Sequence, residues 1–175
     1  MPYNAGSVGL FDPVTESFSL VGPTIPGCCK YNGGVLMPNG KVVFVPVTAN
    51  DVGIFDPATD TFSTVGRSGW DEYSGGVLLL NGMVAFVPRE ADKVGMFDPA
   101  TETFSAVGAP IMREREQRLY DGGVLLPSGK VVFVPSDGRA SVGVFDPGST
   151  APAYSVSGGV PNAWRALLSP HFNKF

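Results

Sequence analysis

GGVLMPNGKVVFVPVTANDVGIFDPATDTFSTVG, residues 33–66, returns as GGVLLLNGMVAFVPREADKVGMFDPATETFSAVG at residues 75–108. A third version opens at Gly122 with GGVLLPSGKVVFVP and continues through VGVFDPGSTAPAYSVSG to about residue 158. Ahead of the first full copy, VGLFDPVTESFSLVG at residues 8–22 is the second half of the phrase alone. The segments that carry Phe-Asp-Pro begin at Val8, Val52, Val94 and Val142, spaced by 44, 42 and 48 residues. One supersecondary unit is therefore repeated along nearly the whole chain. A unit of that size cannot bury a core alone and must be covered by its neighbours.

Each unit reads as four short strands. GVLMP and KVVFVP flank Asn39-Gly40, and Asn-Gly takes the positive φ angles that a tight hairpin demands; Asn81-Gly82 and Ser128-Gly129 hold the same place. The second strands, 41–45, 83–87 and 130–134, are apolar on both faces, so each needs cover on two sides. Pro46, Pro88 and Pro135 follow them, where a missing N–H ends a ladder. The third strands run into Phe-Asp-Pro at Phe11, Phe55, Phe97 and Phe145, and Asp12, Asp56, Asp98 and Asp146 are read as turn formers whose side chains accept turn N–H groups. Phe18, Phe62, Phe104 and Tyr154 on the fourth strands are read as contacts between units.

Composition agrees. Of 175 residues, 43% are hydrophobic, and Gly (23) and Pro (16) punctuate the short apolar runs, as in an all-β protein rich in turns. A net charge of -4, with both signs dispersed, leaves no basic footprint for nucleic acid, so no nucleic-acid partner is expected. No stretch has the apolar length of a membrane helix, so direct membrane insertion is not expected. Cys28 and Cys29 are adjacent, cannot staple distant segments, and are read as two ordinary thiols.

Four strands in about 44 residues is the size of a propeller blade, and radial repetition covers both faces of such small sheets. The element F-D-P-x-T-x-x-F at residues 11–18, 55–62 and 97–104 resembles the kelch element Y-D-P-x-T-x-x-W, and N-G-K-V-V-F-V at residues 39–45 resembles the kelch hairpin before it. The resemblance spans residues 8 to about 158 and implies an all-β propeller of about four kelch-like blades. It departs from the kelch pattern in having Val-Pro after the second strand and a glycine pair before the first. The expected organisation is one propeller domain over 1–175: a half blade at 8–22, blades at 33–66, 75–108 and 122–158, and a closing tail at 159–175. Closure stays open among a four-bladed ring fastened by the tail and the N-terminal strands, a larger ring of two chains, and a segment of a longer chain; the four-bladed ring is favoured.

In a four-stranded meander the loops between strands two and three share a face with the connections between units. On that face the segments diverge: VTAND, READK and SDGRAS in the loops, GPTIPGCCKYN, GRSGWDEYS and GAPIMREREQRLYD in the connections. The turns of the opposite face hardly change. Divergent loops on a constant scaffold mark the candidate binding face. Its partner-binding candidates are Trp70, Asp71, Glu72, Arg89, Arg113, Arg115, Arg118 and Arg139, a set whose tryptophan and arginines are types enriched at interface hot spots. Tyr31, Tyr73 and Tyr120, each two residues before a glycine pair, are the alternative: rings lining the central opening and stacking on a sugar.

Catalysis is not expected from the sequence. His171 is the one histidine and no nucleophile elbow accompanies it. A zinc site lacks ligands, and the histidines and Tyr–Cys link of copper oxidases built on kelch propellers are missing. The expectation is a non-catalytic interaction or scaffold module with a protein partner, no cofactor and no metal; a carbohydrate-binding propeller is the alternative.

Overall fold

The computed structural model describes residues 1–67, 69–112, 118–136 and 141–148. Among them every regular element is a strand. β1 (Val8–Asp12) and β2 (Ser17–Val21) form a two-stranded half blade, blade 1. Blade 2 is β3 (Tyr31–Leu36), β4 (Val42–Pro46), β5 (Asp51–Asp56) and β6 (Thr61–Gly66), antiparallel in that order. Blade 3 repeats it with β7 (Tyr73–Leu78), β8 (Val84–Pro88), β9 (Val94–Asp98) and β10 (Thr103–Val107). Blade 4 contains β11 (Tyr120–Leu125), β12 (Val131–Pro135) and β13 (Gly143–Phe145); the region of its expected fourth strand, with Tyr154 and the tail at 159–175, lies outside the described residues.

The Asp-Pro turns form as their residues dictate. Asp12, Asp56, Asp98 and Asp146 accept the N–H of the residue two further on at 2.8, 2.9, 2.8 and 3.1 Å. Those N–H groups, Val14 for Asp12 and Gly148 for Asp146, are the main reason both carboxyls sit below the usual carboxylate range. The Asn-Gly hairpin differs in detail from its expected form. Only Gly40 and Gly82 take positive φ, while Asn39 and Asn81 use their side chains to accept the N–H of Lys41 and Met83, at 3.1 Å each. Met37 and Lys41 still pair, so the loop is three residues long and ends in the left-handed glycine.

The period-2 alternation gives each blade two unlike faces. In blade 2, Tyr31, Phe44, Phe55 and Phe62 share one side; Val35, Met37, Val43, Val45 and Ile54 share the other. The aliphatic side of each blade packs on the aromatic side of the next. Val35, Val45 and Ile54 of blade 2 meet Tyr73, Phe86 and Phe97 of blade 3, and Val77, Val87 and Met96 of blade 3 meet Tyr120 and Phe133 of blade 4. Phe86 is wholly buried, its ring centroid 5.8 Å from Phe104, 5.9 Å from Tyr73 and 6.4 Å from Phe97.

The innermost strands β3, β7 and β11 lie side by side, as spokes meet at an axis. Backbone rather than side chain makes that contact. A β-bulge displaces the register between Tyr31 and Gly34 and again between Tyr73 and Gly76. Gly33, at φ 106°, is thereby brought so close to blade 3 that a Cβ on it would stand 2.6 Å from the Gly75 Cα. The glycine pairs thus belong inside the first strand, which starts at the tyrosine rather than at the glycines. Among the described residues blade 1 and blade 4 each turn an apolar face outward, and the tail expected to fasten the favoured four-bladed closure lies outside them.

Candidate functional site

The loops that diverge in sequence do gather at one end of the blades. The residue before each inner-strand tyrosine supplies the carbonyl that ties them down. Lys30 O accepts from Val47 N at 2.9 Å, Glu72 O from Arg89, Glu90 and Ala91 N at 3.0 to 3.2 Å, and Leu119 O from Ser136 N at 3.0 Å. Leu119 N in turn donates to Arg89 O at 2.8 Å, which links blades 3 and 4.

Trp70 stands at the apex of the connection between β6 and β7 with 80% of its surface exposed. Beneath it Arg67, half-buried, acts as a brace. One guanidinium nitrogen donates to Asp71 O, another to Ala49 O at 2.8 Å, and the Cζ lies 5.9 Å from the centre of the Tyr73 ring. Burial pulls the Arg67 pKa below its ordinary value, opposed by the charges of Tyr73, Asp71, Asp51 and Glu72. Its Nε and the Tyr73 hydroxyl are buried without a hydrogen-bond partner. Lys30 is the corresponding brace in the preceding connection: it is buried and its ammonium donates to Ala5 O at 3.1 Å and to Gly27 O. Arg67 and Lys30 escape a sequence reading because a basic residue in a polar connection looks alike whether solvated or clamping carbonyls.

Asp71, Glu72 and Arg89 are half-buried, and the Nε of Arg89 is also buried without a partner. Arg118 is exposed, 3.9 Å from Glu90, a surface ion pair that contributes little to stability. Arg113, Arg115 and Arg139 lie outside the described residues.

The tyrosines are elsewhere than the stacking role requires. Tyr31, Tyr73 and Tyr120 are buried, each against the phenylalanine of its own second strand at 5.9, 5.9 and 5.3 Å between ring centres. Burial pushes the Tyr31 hydroxyl up to about 12, with Asp51 adding and Arg67 opposing, and raises Tyr73 and Tyr120 as well. These rings present no face to a ligand; they pack the blades. The residues just after them reach across the axis instead: Asn32 Nδ2 donates to Ser74 Oγ at 3.2 Å, and Ser74 Oγ donates to Asp121 O at 3.2 Å.

Elsewhere, Pro38, Asn39, Asn81, Gly82, Asp98, Pro99 and Ala100 line a shallow cavity of about 220 Å³ between blades 2 and 3, among the constant turns of the opposite end. Among the described residues no group of three or more His, Cys, Asp or Glu could hold a metal ion. Cys28 is exposed and Cys29 half-buried, both as free thiols.

No family model matches the chain, and no curated protein matches it in sequence. Solved structures match it in fold. Virginiamycin B lyase from Staphylococcus aureus superposes with a TM-score of 0.63 at 13% identity, over 84% of this chain and 51% of that one. Hydrazine synthase from Kuenenia stuttgartiensis gives 0.61 at 12%, over 82% and 41%. An auxiliary nutrient binding protein from Bacteroides ovatus gives 0.60 at 14%, over 82% and 34%. The chain is a β-propeller array. It spans about half or less of the length of these structures.

These likenesses correct one expectation. The lack of a local catalytic motif argues against catalysis in the sequence, yet two of these structures with the same fold are enzymes, so that exclusion does not stand. The physical reason is that a site collected from loops of separate blades leaves no contiguous motif to find. At these identities the likeness speaks for the scaffold alone.

Proposed function

We propose that this propeller is an interaction module that engages a protein partner through its divergent loop face, with Trp70 as anchor and Asp71, Glu72, Arg89 and Arg118 orienting the partner around it. The observation that carries the reading is the exposure of Trp70 on a connection held rigid by Arg67. A large aromatic kept in water by a braced backbone loses little conformational freedom on binding, which is the character of an interface hot spot. By sequence, Arg113 and Arg115 belong to another of the divergent connections and Arg139 to a divergent loop.

Capture of a small ligand is the second reading. A nutrient binding protein shares the fold, and with the three tyrosines buried, Trp70 is an exposed aromatic on this face onto which a sugar ring could stack.

A cross-linking capture and a glycan array, each run with the wild-type protein, Trp70→Ala and Ala100→Glu, test both. Trp70→Ala is expected to weaken a stoichiometric protein partner by about 30-fold or more, while Ala100→Glu, on the opposite end, leaves it intact. A partner indifferent to Trp70, or one lost with Ala100→Glu, would contradict the loop-face reading. Sugar binding that needs Trp70 would favour the second.

A further inference from the structure

From the cavity between blades 2 and 3 we infer a binding site for a single sugar ring, at the end of the array opposite the loop face. It is independent of what Trp70 engages. The four Asp-Pro turns are built alike, and in each the aspartate Oδ1 accepts the N–H of the residue two further on. They differ at the other oxygen. Asp12 Oδ2 accepts from Thr15 Oγ1 at 2.8 Å, Asp56 Oδ2 faces Lys41 Nζ at 3.9 Å, and Asp146 Oδ2 faces Lys130 Nζ at 3.2 Å. Blade 3 has Met83 where blades 2 and 4 have those lysines. Among the described residues Asp98 Oδ2 has neither a hydrogen-bond donor nor an ion-pair partner. Asp98 is also the aspartate that lines the cavity.

Two amides complete the set. The side-chain oxygens of Asn39 and Asn81 accept the N–H groups of Lys41 and Met83 at 3.1 Å, which leaves each Nδ2 as a donor. The cavity therefore combines a carboxylate oxygen that accepts, two NH2 groups that donate, and apolar walls from Pro38, Pro99 and Ala100. A hydroxyl both donates and accepts, so a ring with neighbouring hydroxyls answers both kinds of group at once while its C–H face lies on the prolines. A bare cation would answer the carboxylate and leave both donors without an acceptor. The volume of about 220 Å³ is below the roughly 300–1,000 Å³ of pockets that enclose drug-sized ligands, so it suits one ring with the rest of the ligand in water. The junction between blades 3 and 4 lacks the set: Leu80 replaces Pro38, Ser128 replaces Asn81, and Asp146 is paired with Lys130.

The test is a proton–nitrogen NMR titration of the full chain with methyl glucoside, methyl mannoside and methyl galactoside, and with methylammonium as the cation control. At least one glycoside is expected to shift the side-chain NH2 signals of Asn39 and Asn81 and the amide of Ala100, with a dissociation constant on the order of 1–10 mM. Methylammonium at the same concentration is expected to leave them in place. Asp98→Asn keeps an oxygen for the turn, and Met83→Lys installs the lysine of blades 2 and 4; each is expected to weaken glycoside binding by about 10-fold or more. Trp70→Ala and Asp56→Asn are expected to leave it unchanged. Amide signals that stay put away from the cavity certify the fold of each variant. No shift with any of the three glycosides, a response to methylammonium equal to that to sugar, or glycoside binding that survives both Asp98→Asn and Met83→Lys would each overturn the inference. Glycoside binding lost with Trp70→Ala would place the sugar on the loop face and overturn it too.

Discussion

Phe86→Ala is expected to lower the free energy of unfolding by about 4 kcal/mol, read from the midpoint of a urea titration at unchanged m value. Phe86 is the point at which the repeat turns into a core: its ring touches Tyr73, Phe97 and Phe104 of its own blade and sits in the cluster that Val35, Val45 and Ile54 of blade 2 complete. Truncation forfeits the transfer of a whole aromatic side chain and leaves a void between two sheets whose strands are hydrogen-bonded in place and cannot collapse to fill it. A loss of that size is a large fraction of the stability of an ordinary domain. By contrast, Val14→Ala, at an exposed turn position, is expected to change stability by less than about 0.5 kcal/mol.

Gly33→Ala is expected to cost about 3 kcal/mol or more, against about 1 kcal/mol for Gly40→Ala, in the same titration. Both glycines have positive φ, 106° and 83°, so both substitutions meet backbone strain. The difference is what the new methyl group finds. At Gly40 nothing lies within 4 Å, whereas at Gly33 the Cβ would stand 2.6 Å from the Gly75 Cα and 3.1 Å from its nitrogen. Those are backbone atoms of a paired strand and cannot step aside as the end of a flexible side chain would. Equal costs at the two sites would mean that the inner strands are not in backbone contact.

Much of the fold is legible in the sequence because its determinants are local. Alternation with period two, the Asp-Pro turn and the hairpin glycine each act within a few residues, and the repeat shows them several times over. The glycine pairs and the tyrosines are harder. Their reasons lie about 42 residues away in the next blade: Gly33 is small because Gly75 is there, and Tyr73 is buried because blade 2 covers it. A single repeat read alone offers no partner for either, so the tyrosines stand as readily for ligand stacking as for packing. On the loop face, divergence locates the connections and Trp70, while the braces Lys30 and Arg67 cannot be told from solvated charges without the carbonyls they hold. The expectation against catalysis fails for a related reason: contiguous motifs are a poor guide to a scaffold whose loops meet only in three dimensions.

The face-to-face stacking of blades about an axis is tested most directly by a nuclear Overhauser spectrum that asks whether the α protons of Gly33 and Gly75 see each other. With the backbones of the two glycines in such close approach, a strong cross-peak is expected between them. If Gly33 instead shows contacts only within its own hairpin, the inner strands do not meet and the propeller arrangement is contradicted.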